Sequence, residues 1–145
     1  INVMDYIEIA TIGNSLDFGD LMRIRKGHQG INSAVRGIWV ASQESGAGTA
    51  EAEVITIASK GNSVRFGELD RVRVGASGAN AGMGVASPTR AVYCGGYSGT
   101  PTPQYSVVNT MEFVQIMTEG NSIDFGDLAQ KMKQAGSVSI GHGGL

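Results

Sequence analysis

The chain has little of the residue types on which several protein classes depend. It contains one cysteine, Cys94, so an internal disulfide framework and a cysteine-based zinc site are excluded. Its charged residues give a formal net charge of -2 and form no basic stripe of the kind that nucleic acid requires. No apolar run approaches the ~18 residues of a membrane-spanning helix. We therefore expect neither a nucleic-acid partner nor membrane insertion.

Glycine, in contrast, is abundant. The chain has 22 glycines, roughly twice the usual ~7% share of this residue. They show no triplet period of the kind found in collagen. This composition indicates β structure that is rich in turns.

One phrase occurs three times along the chain. The copies are MDYIEIATIGNSLDFGDL from Met4 to Leu21, AEVITIASKGNSVRFGEL from Ala52 to Leu69, and MEFVQIMTEGNSIDFGDL from Met111 to Leu128. A unit of this length cannot bury its apolar side alone, so the fold is expected to be an array of stacked copies. The spacing between successive copies along the sequence is typical of a propeller blade.

In each copy, two strand-like runs flank a Gly-Asn pair, which is a signal for a two-residue hairpin turn. Apolar residues occupy both faces of these runs, a pattern that suits a sheet packed between neighbouring sheets. The phrase therefore predicts three equivalent antiparallel hairpins. Their expected turns are Gly13-Asn14, Gly61-Asn62 and Gly120-Asn121.

Two further segments separate the hairpins. The first is a run of small residues, found at 27–34, 75–87 and 135–144. Such residues suit a strand where backbones crowd together near an axis. The second is a strand introduced by arginine, Arg36 to Ser42 and Arg90 to Gly96. A complete repeat thus has four strands, with the small-residue strand nearest the axis.

These residues resemble kelch-type propeller repeats, in which a Gly-Gly doublet ends one strand. Gly95-Gly96 matches the doublet, whereas Ala41-Ser42 replaces it in the first repeat. Phenylalanines stand where the family usually has tryptophan in its outer strand, at Phe18, Phe66 and Phe125. The repeated phrase is most similar to the kelch-like repeats of bacteriophage virion proteins, especially those of phages that infect cyanobacteria. This resemblance covers nearly the whole chain.

The resemblance implies an all-β fold, a segment of a kelch-like β-propeller with four-stranded antiparallel blades. Residues 1–25 would supply the last two strands of one blade, 26–73 and 74–131 two complete blades, and 132–145 the first strand of a further blade. No blade closes at either end in this scheme. We therefore expect the protein to continue beyond residue 145 or, as the less favoured alternative, a second chain to supply the missing edge.

Acidic residues recur at one place in each copy, Asp20, Glu68 and Asp127, directly after a glycine. Calcium takes such oxygen ligands, but a blade's width would separate the three carboxylates. We expect them instead to accept backbone N–H bonds or to pair with Arg36 or Arg90. A charge reversal at a neighbouring place, Asp17 and Asp124 against Arg65, indicates a solvated face.

Other residues could carry chemistry, but a structural role is the stronger hypothesis for each. They are the histidines His28 and His142, the thiol of Cys94, the Asp17-Phe18-Gly19 and Asp124-Phe125-Gly126 triplets, the glycines Gly75, Gly78, Gly82 and Gly84, and the aromatics Trp39, Tyr93, Tyr97 and Tyr105. Two imidazoles without a third ligand are a weak metal site. The glycines lack a following helix that could bind a phosphate. Trp39 and Tyr93 are expected to pack between blades.

The resemblance implies a non-enzymatic structural or interaction module of a phage virion, associated with the capsid or the tail and located on the particle surface. Its partners would be other virion proteins or further copies of the same chain. The alternative is a carbohydrate-binding, fibre-type module that contacts a host-surface glycan. A weaker third class is a propeller enzyme with catalytic residues outside this chain. We expect no cofactor and no catalytic, cofactor-binding or metal-binding residues.

Overall fold

The computed structural model describes residues 1–44, 47–73, 82–99 and 106–138. These ranges contain β-strands and connecting loops and no helix, so the prediction of an all-β fold is confirmed. No helix in the described ranges is therefore long or apolar enough to cross a membrane. The strands form three antiparallel sheets.

The strands, in chain order, are β1 (Val3–Tyr6), β2 (Leu16–Asp20), β3 (Gln29–Asn32), β4 (Arg36–Val40), β5 (Gln43–Glu44), β6 (Ala47–Thr56), β7 (Val64–Arg73), β8 (Met83–Ala86), β9 (Arg90–Cys94), β10 (Tyr97–Ser98), β11 (Ser106–Val107), β12 (Thr110–Gln115) and β13 (Ile123–Asp127).

The sheets divide the strands into three units. The first unit is the pair β1–β2, the second has the order β3–β4–β6–β7, and the third has the order β8–β9–β12–β13. Short strands extend the second unit, because β5 pairs with β6 and β10 connects β7 to β11. The order of strands within the second and third units is the predicted one: small-residue strand, arginine-led strand, then hairpin.

The three hairpins are equivalent in register as well as in sequence. Tyr6 lies opposite Leu16, Val54 opposite Val64, and Phe113 opposite Ile123. Each hairpin also has a bulge at the same place, between Met4 and Asp5, between Ala52 and Glu53, and between Met111 and Glu112. The prediction of three equivalent antiparallel hairpins is confirmed.

The predicted position of the turns is wrong. The first hairpin reverses direction before Gly13, where the Thr11 N–H donates to the Glu8 carbonyl at 3.3 Å. The third reverses in the same way, with the Thr118 N–H donating to the Gln115 carbonyl at 3.3 Å. The Gly-Asn pairs come after these turns. In the second and third units they form hydrogen bonds with the preceding unit instead.

The apolar core lies between and within the second and third units. Its most enclosed side chains include Ile38, Tyr93 and Ile116, which come from a central strand of each unit and from the β12–β13 turn. Tyr93 is buried, as expected for a residue packed between blades, whereas Trp39 in the equivalent place is only partly buried. The exposed large apolar residues are most numerous in the first unit.

The small-residue strands β3 and β8 face each other. A Cβ placed on Gly84 would lie 2.5 Å from Ile31 Cγ1, so the absence of a side chain in β8 makes room for one in β3. Two of the predicted small-residue segments fall largely or partly outside the described residues. Residues 135–138 form no strand, although Ser137 Oγ donates to the Gly84 carbonyl at 2.7 Å and so lies beside β8.

This contact gives a test of how the units pack. Gly84→Ala should destabilise the fold by about 1–3 kcal/mol because the new methyl group displaces Ile31. Ile31→Ala removes the Cγ1 atom that the new methyl group would meet and should cost about 2–5 kcal/mol alone. The double variant should be less destabilised than the sum of the two, as measured by urea unfolding in a double-mutant cycle. Additive costs would show that β3 and β8 do not pack against each other.

Candidate functional site

The repeated phrase forms the junctions between units. At the first junction, the Gly61 N–H donates to the Phe18 carbonyl at 2.8 Å and the Ser63 N–H to the Asp20 carbonyl at 2.9 Å. The side chain between these two residues completes the set, since Asn62 Oδ1 accepts the Asp20 N–H at 2.9 Å. The Gly-Asn-Ser segment of one unit therefore acts as an extra short strand on the outer edge of the preceding unit.

The second junction repeats these contacts one unit further along. The Gly120 N–H donates to the Phe66 carbonyl at 3.0 Å, and the Ser122 N–H donates to the Glu68 carbonyl at 2.8 Å. Asn121 Oδ1 accepts the Glu68 N–H at 3.1 Å. Equivalent atoms thus bond at both junctions, and the Gly-Asn-Ser segments at 61–63 and 120–122 each join two units.

Glycine is required where the two backbones meet. A Cβ on Gly19 would lie 2.4 Å from the Gly61 carbonyl carbon, and one on Gly67 would lie 2.0 Å from the Gly120 oxygen. Real Cβ atoms do not approach backbone so closely, so any side chain there would separate the units. At Gly126, the third member of this set, a Cβ would meet only Met111 Cε, at 4.0 Å, among the residues that the structure describes.

A buried glutamate, Glu53, forms hydrogen bonds and an ion pair at the first junction. Glu53 Oε2 accepts hydrogen bonds from the Met22 N–H at 2.9 Å and from Ser63 Oγ at 2.5 Å. Its other oxygen, Oε1, lies 3.2 Å from Arg25 NH1, and Arg25 also forms an ion pair with Glu51. Because Arg25 and Met22 follow the first unit while Glu53 belongs to the second, this buried ion pair crosses the junction.

The second junction has the same buried group. Glu112 Oε2 accepts hydrogen bonds from the Asp70 N–H at 2.6 Å and from Ser122 Oγ at 2.7 Å. Glu112 Oε1 pairs with Arg73 NH2, and Arg73 NH2 also donates to Thr110 Oγ1 at 2.7 Å. Arg73 and Glu112 are both almost fully buried. A buried ion pair of this kind contributes to specificity of packing, since either charge alone would be costly.

One further contact at the first junction differs between copies. Lys60, which precedes Gly61, donates to the Tyr6 hydroxyl, and its Nζ lies 4.1 Å from the centre of the Tyr6 ring. At the second junction the equivalent residues are Glu119 and Val54. The peripheral contact is therefore specific to each junction, whereas the backbone contacts are common to both.

The recurrent acids Asp20 and Glu68 lie in these junctions, but the expected pairing with Arg36 or Arg90 is wrong. Glu68 Oε1 pairs with Arg65 at 2.7 Å. Arg36 instead donates to the Ile116 carbonyl at 3.0 Å, and the Arg90 guanidinium lies 5.1 Å from the Phe113 ring centre. The reason is strand order, because β6 separates the arginine-led strand from the strand that carries Glu68.

The remaining predicted residues have structural surroundings where they are described. Asp17 and Asp124 are exposed, and each carboxylate accepts the N–H of the glycine two residues later, at 3.1 Å. Tyr97 contacts Lys133, whose Nζ is 5.2 Å from the ring centre. Among the described residues, no group of three His, Cys, Asp or Glu side chains could hold a metal ion. His142, Tyr105, Gly75 and Gly78 lie outside the described residues.

Burial changes the acidity of two groups in the core. It raises the pKa of the Cys94 thiol above its ordinary value. It also raises the pKa of Tyr93, whose hydroxyl oxygen accepts the Gly82 N–H at 3.1 Å. A thiol that is both buried and weakly acidic is a poor nucleophile, in agreement with a structural role for Cys94.

Sequence reasoning missed the buried charges, Arg25, Arg73, Glu53 and Glu112. The signal was present in the repeated phrase, because an acid occupies positions 5, 53 and 112 and a serine follows every Gly-Asn pair. Each acid lies in a strand-like run beside apolar residues, where an unpaired charge would be costly.

Comparison with known proteins adds no assignment. No protein-family model matches the chain, and no curated sequence is significantly similar to it.

The junction glycines give a matched pair of variants. Gly19 and Gly126 both have positive φ, 143° and 122°, so alanine strains the backbone at either position. Only Gly19 is in contact with another unit. We expect Gly19→Ala to cost at least about 2 kcal/mol more than Gly126→Ala, the size of a severe packing defect. The measurement is urea unfolding of dilute protein, and equal costs would contradict the proposed contact.

The buried ion pair gives a second test. Glu112→Ala leaves the Arg73 guanidinium buried without its partner and should cost about 3–5 kcal/mol. Arg73→Met removes that charge, and methionine occupies the equivalent place, residue 132, after the third unit. The double variant should therefore be no less stable than Glu112→Ala alone. If adding Arg73→Met further destabilises the protein in thermal unfolding, the two charges do not act as a pair.

His28 makes stability depend on pH. Burial lowers its pKa below the ordinary 6.5, an effect that Arg25 reinforces and Glu53 opposes. The unfolded chain then binds the proton more readily, so this contribution to stability is present above the ordinary pKa and lost as pH falls below it. Between pH 7.5 and pH 5.5, the urea concentration at the midpoint of unfolding should fall more for the native chain than for His28→Asn. An equal fall in both proteins would exclude His28 as the cause.

Proposed function

We propose that this chain is a non-enzymatic structural and interaction module built from kelch-like propeller blades. The second and third units would be two such blades and the first unit the outer half of another. Their four-stranded antiparallel order, with the small-residue strands facing each other and the hairpins at the outer edge, supports this proposal.

One observation carries the functional part of the proposal. The most repeated polar groups of the sequence are used at junctions between units, where Asn62, Ser63 and Glu53 bond across one junction and their counterparts across the next. A chain whose recurrent polar residues serve packing of one unit on another is suited to assembly. Catalysis, in contrast, usually needs perturbed acids or nucleophiles that converge in a cleft.

The setting that we propose is the surface of a bacteriophage particle, in the capsid or the tail. The resemblance of the repeated phrase to kelch-like repeats of virion proteins supports it. The fibre-type, glycan-binding alternative would need exposed aromatic side chains on one loop face. Among the described aromatics, Tyr93 is buried, Tyr97 lies against Lys133, and the exposed Phe125 lies in strand β13 and not in a loop, so the structural role is favoured.

Labelling of particles tests this function. Antibodies raised against the purified chain should bind intact, purified particles of the phage that encodes it, at a fixed place seen by negative-stain electron microscopy. Antibodies against an unrelated protein of the same lysate provide the control. Detection of the chain only in the soluble fraction of the lysate, with unlabelled particles, would contradict a virion role.

A further inference from the structure

Two uncovered surfaces of the chain have the form of a junction. The first, here called the head, is Ile12 to Ser15 in the first unit, which corresponds to the segments at 60–63 and 119–122 that dock on a preceding unit. The second, here called the tail, is Phe125 to Leu128 with Phe113 in the third unit. It corresponds to the strand edges at 18–21 and 66–69 that receive those segments.

We propose that the head of one copy of this chain docks on the tail of a second copy, through the same backbone and side-chain bonds that join the units within one chain. The inference rests on the interaction role proposed above and names the partner of that role. The contacts at the new junction would be the Gly13 and Ser15 N–H groups on the Phe125 and Asp127 carbonyls, with Asn14 accepting the Asp127 N–H.

The tail is shaped to receive such a segment. Phe66, which the next unit covers, is 3% exposed, whereas Phe125 in the same place is 49% exposed. At Gly67 the next unit fills the space of a Cβ, whereas no described residue of another unit lies in that space at Gly126. Both differences between the two equivalent strands are those that a docked segment makes.

Side chains at the head and tail match each other in chemistry. At the first junction Lys60 lies over the Tyr6 ring, a cation against a hydroxyl-bearing aromatic. In a head-to-tail contact the equivalent residues are Ile12 and Phe113, which are both apolar. Ile12 is fully exposed in the single chain. Burying it against Phe113 would remove apolar surface from water on both sides.

The charged side chains at the head and tail differ from those at the junctions within the chain. Arg25 and Arg73 correspond to Met132 in the third unit, and Glu53 and Glu112 correspond to Asp5 in the first. A head-to-tail junction would therefore contain no guanidinium that needs a partner, and its one carboxylate would be the shorter Asp5. Asp5 Oδ2 already accepts a hydrogen bond from Ser15 Oγ at 3.4 Å.

A contact of this kind is heterologous, so it leads to a closed ring or to an open filament of copies. Sedimentation and light scattering across a concentration series should show the native chain 1–145 in species larger than one copy. Gly126→Ala blocks the tail by the clash that a Cβ makes at Gly67, and Ile12→Glu places a charge in the head. Each should weaken association at least about hundredfold.

A control variant separates this contact from non-specific adhesion. Val35 is exposed and apolar but lies in the β3–β4 turn, outside head and tail. Val35→Glu should therefore associate like the native chain. If Ile12→Glu or Gly126→Ala perturbs the fold in circular dichroism, Asn14→Ala supplies a milder head variant with the same expected direction.

Mixing gives the sharpest result. Gly126→Ala keeps an intact head and Ile12→Glu keeps an intact tail, so an equimolar mixture should form a one-to-one complex that does not extend further. The double variant should remain monomeric. A monomeric native chain, an unaffected pair of single variants, or a mixture without the complex would overturn the proposal. Particle labelling is a separate measurement, so failure of self-association leaves the virion role to be decided on its own.

Discussion

The structure depends on backbone contact between a Gly-Asn-Ser segment of one unit and the Phe-Gly-acid strand of the unit before it. Two N–H groups and one amide oxygen of each segment bond to that strand, and a glycine on the receiving side allows the approach. The edge of a strand presents unpaired N–H and C=O groups, and here the next copy of the repeat supplies their partners. The same sequence element therefore forms a hairpin within a unit and a bond between units.

The buried charges add specificity to this contact. Each junction has one carboxylate that accepts hydrogen bonds from a backbone N–H and a serine hydroxyl and forms an ion pair with a guanidinium. A shift of one unit by a residue would leave these groups buried without partners, which is costly. Stability in such an array is approximately the sum of repeat and junction contributions. The exposed large apolar residues are more numerous in the first and third units than in the second.

Much of the fold could be predicted from the sequence, because a thrice-repeated phrase and its strand period constrain pairing strongly. The hairpins and the order of strands follow from that pattern. The turn positions did not, since Gly-Asn suits a tight turn locally and only the neighbouring unit shows its other use. The partners of Arg36 and Arg90 were also missed, because strand order places β6 between Arg36 and Glu68 and β12 between Arg90 and Asp127. Tertiary contacts decided these cases, not local preference.

Native-state hydrogen exchange tests the central claim most directly, since the three copies of Gly-Asn-Ser have the same sequence but different surroundings. In dilute protein, the amides of Gly61, Ser63, Gly120 and Ser122 should be protected to nearly the global free energy of unfolding. The amides of Gly13 and Ser15 should exchange rapidly. Equal protection of all three copies in the monomer, or rapid exchange at Gly61 and Gly120, would contradict the account.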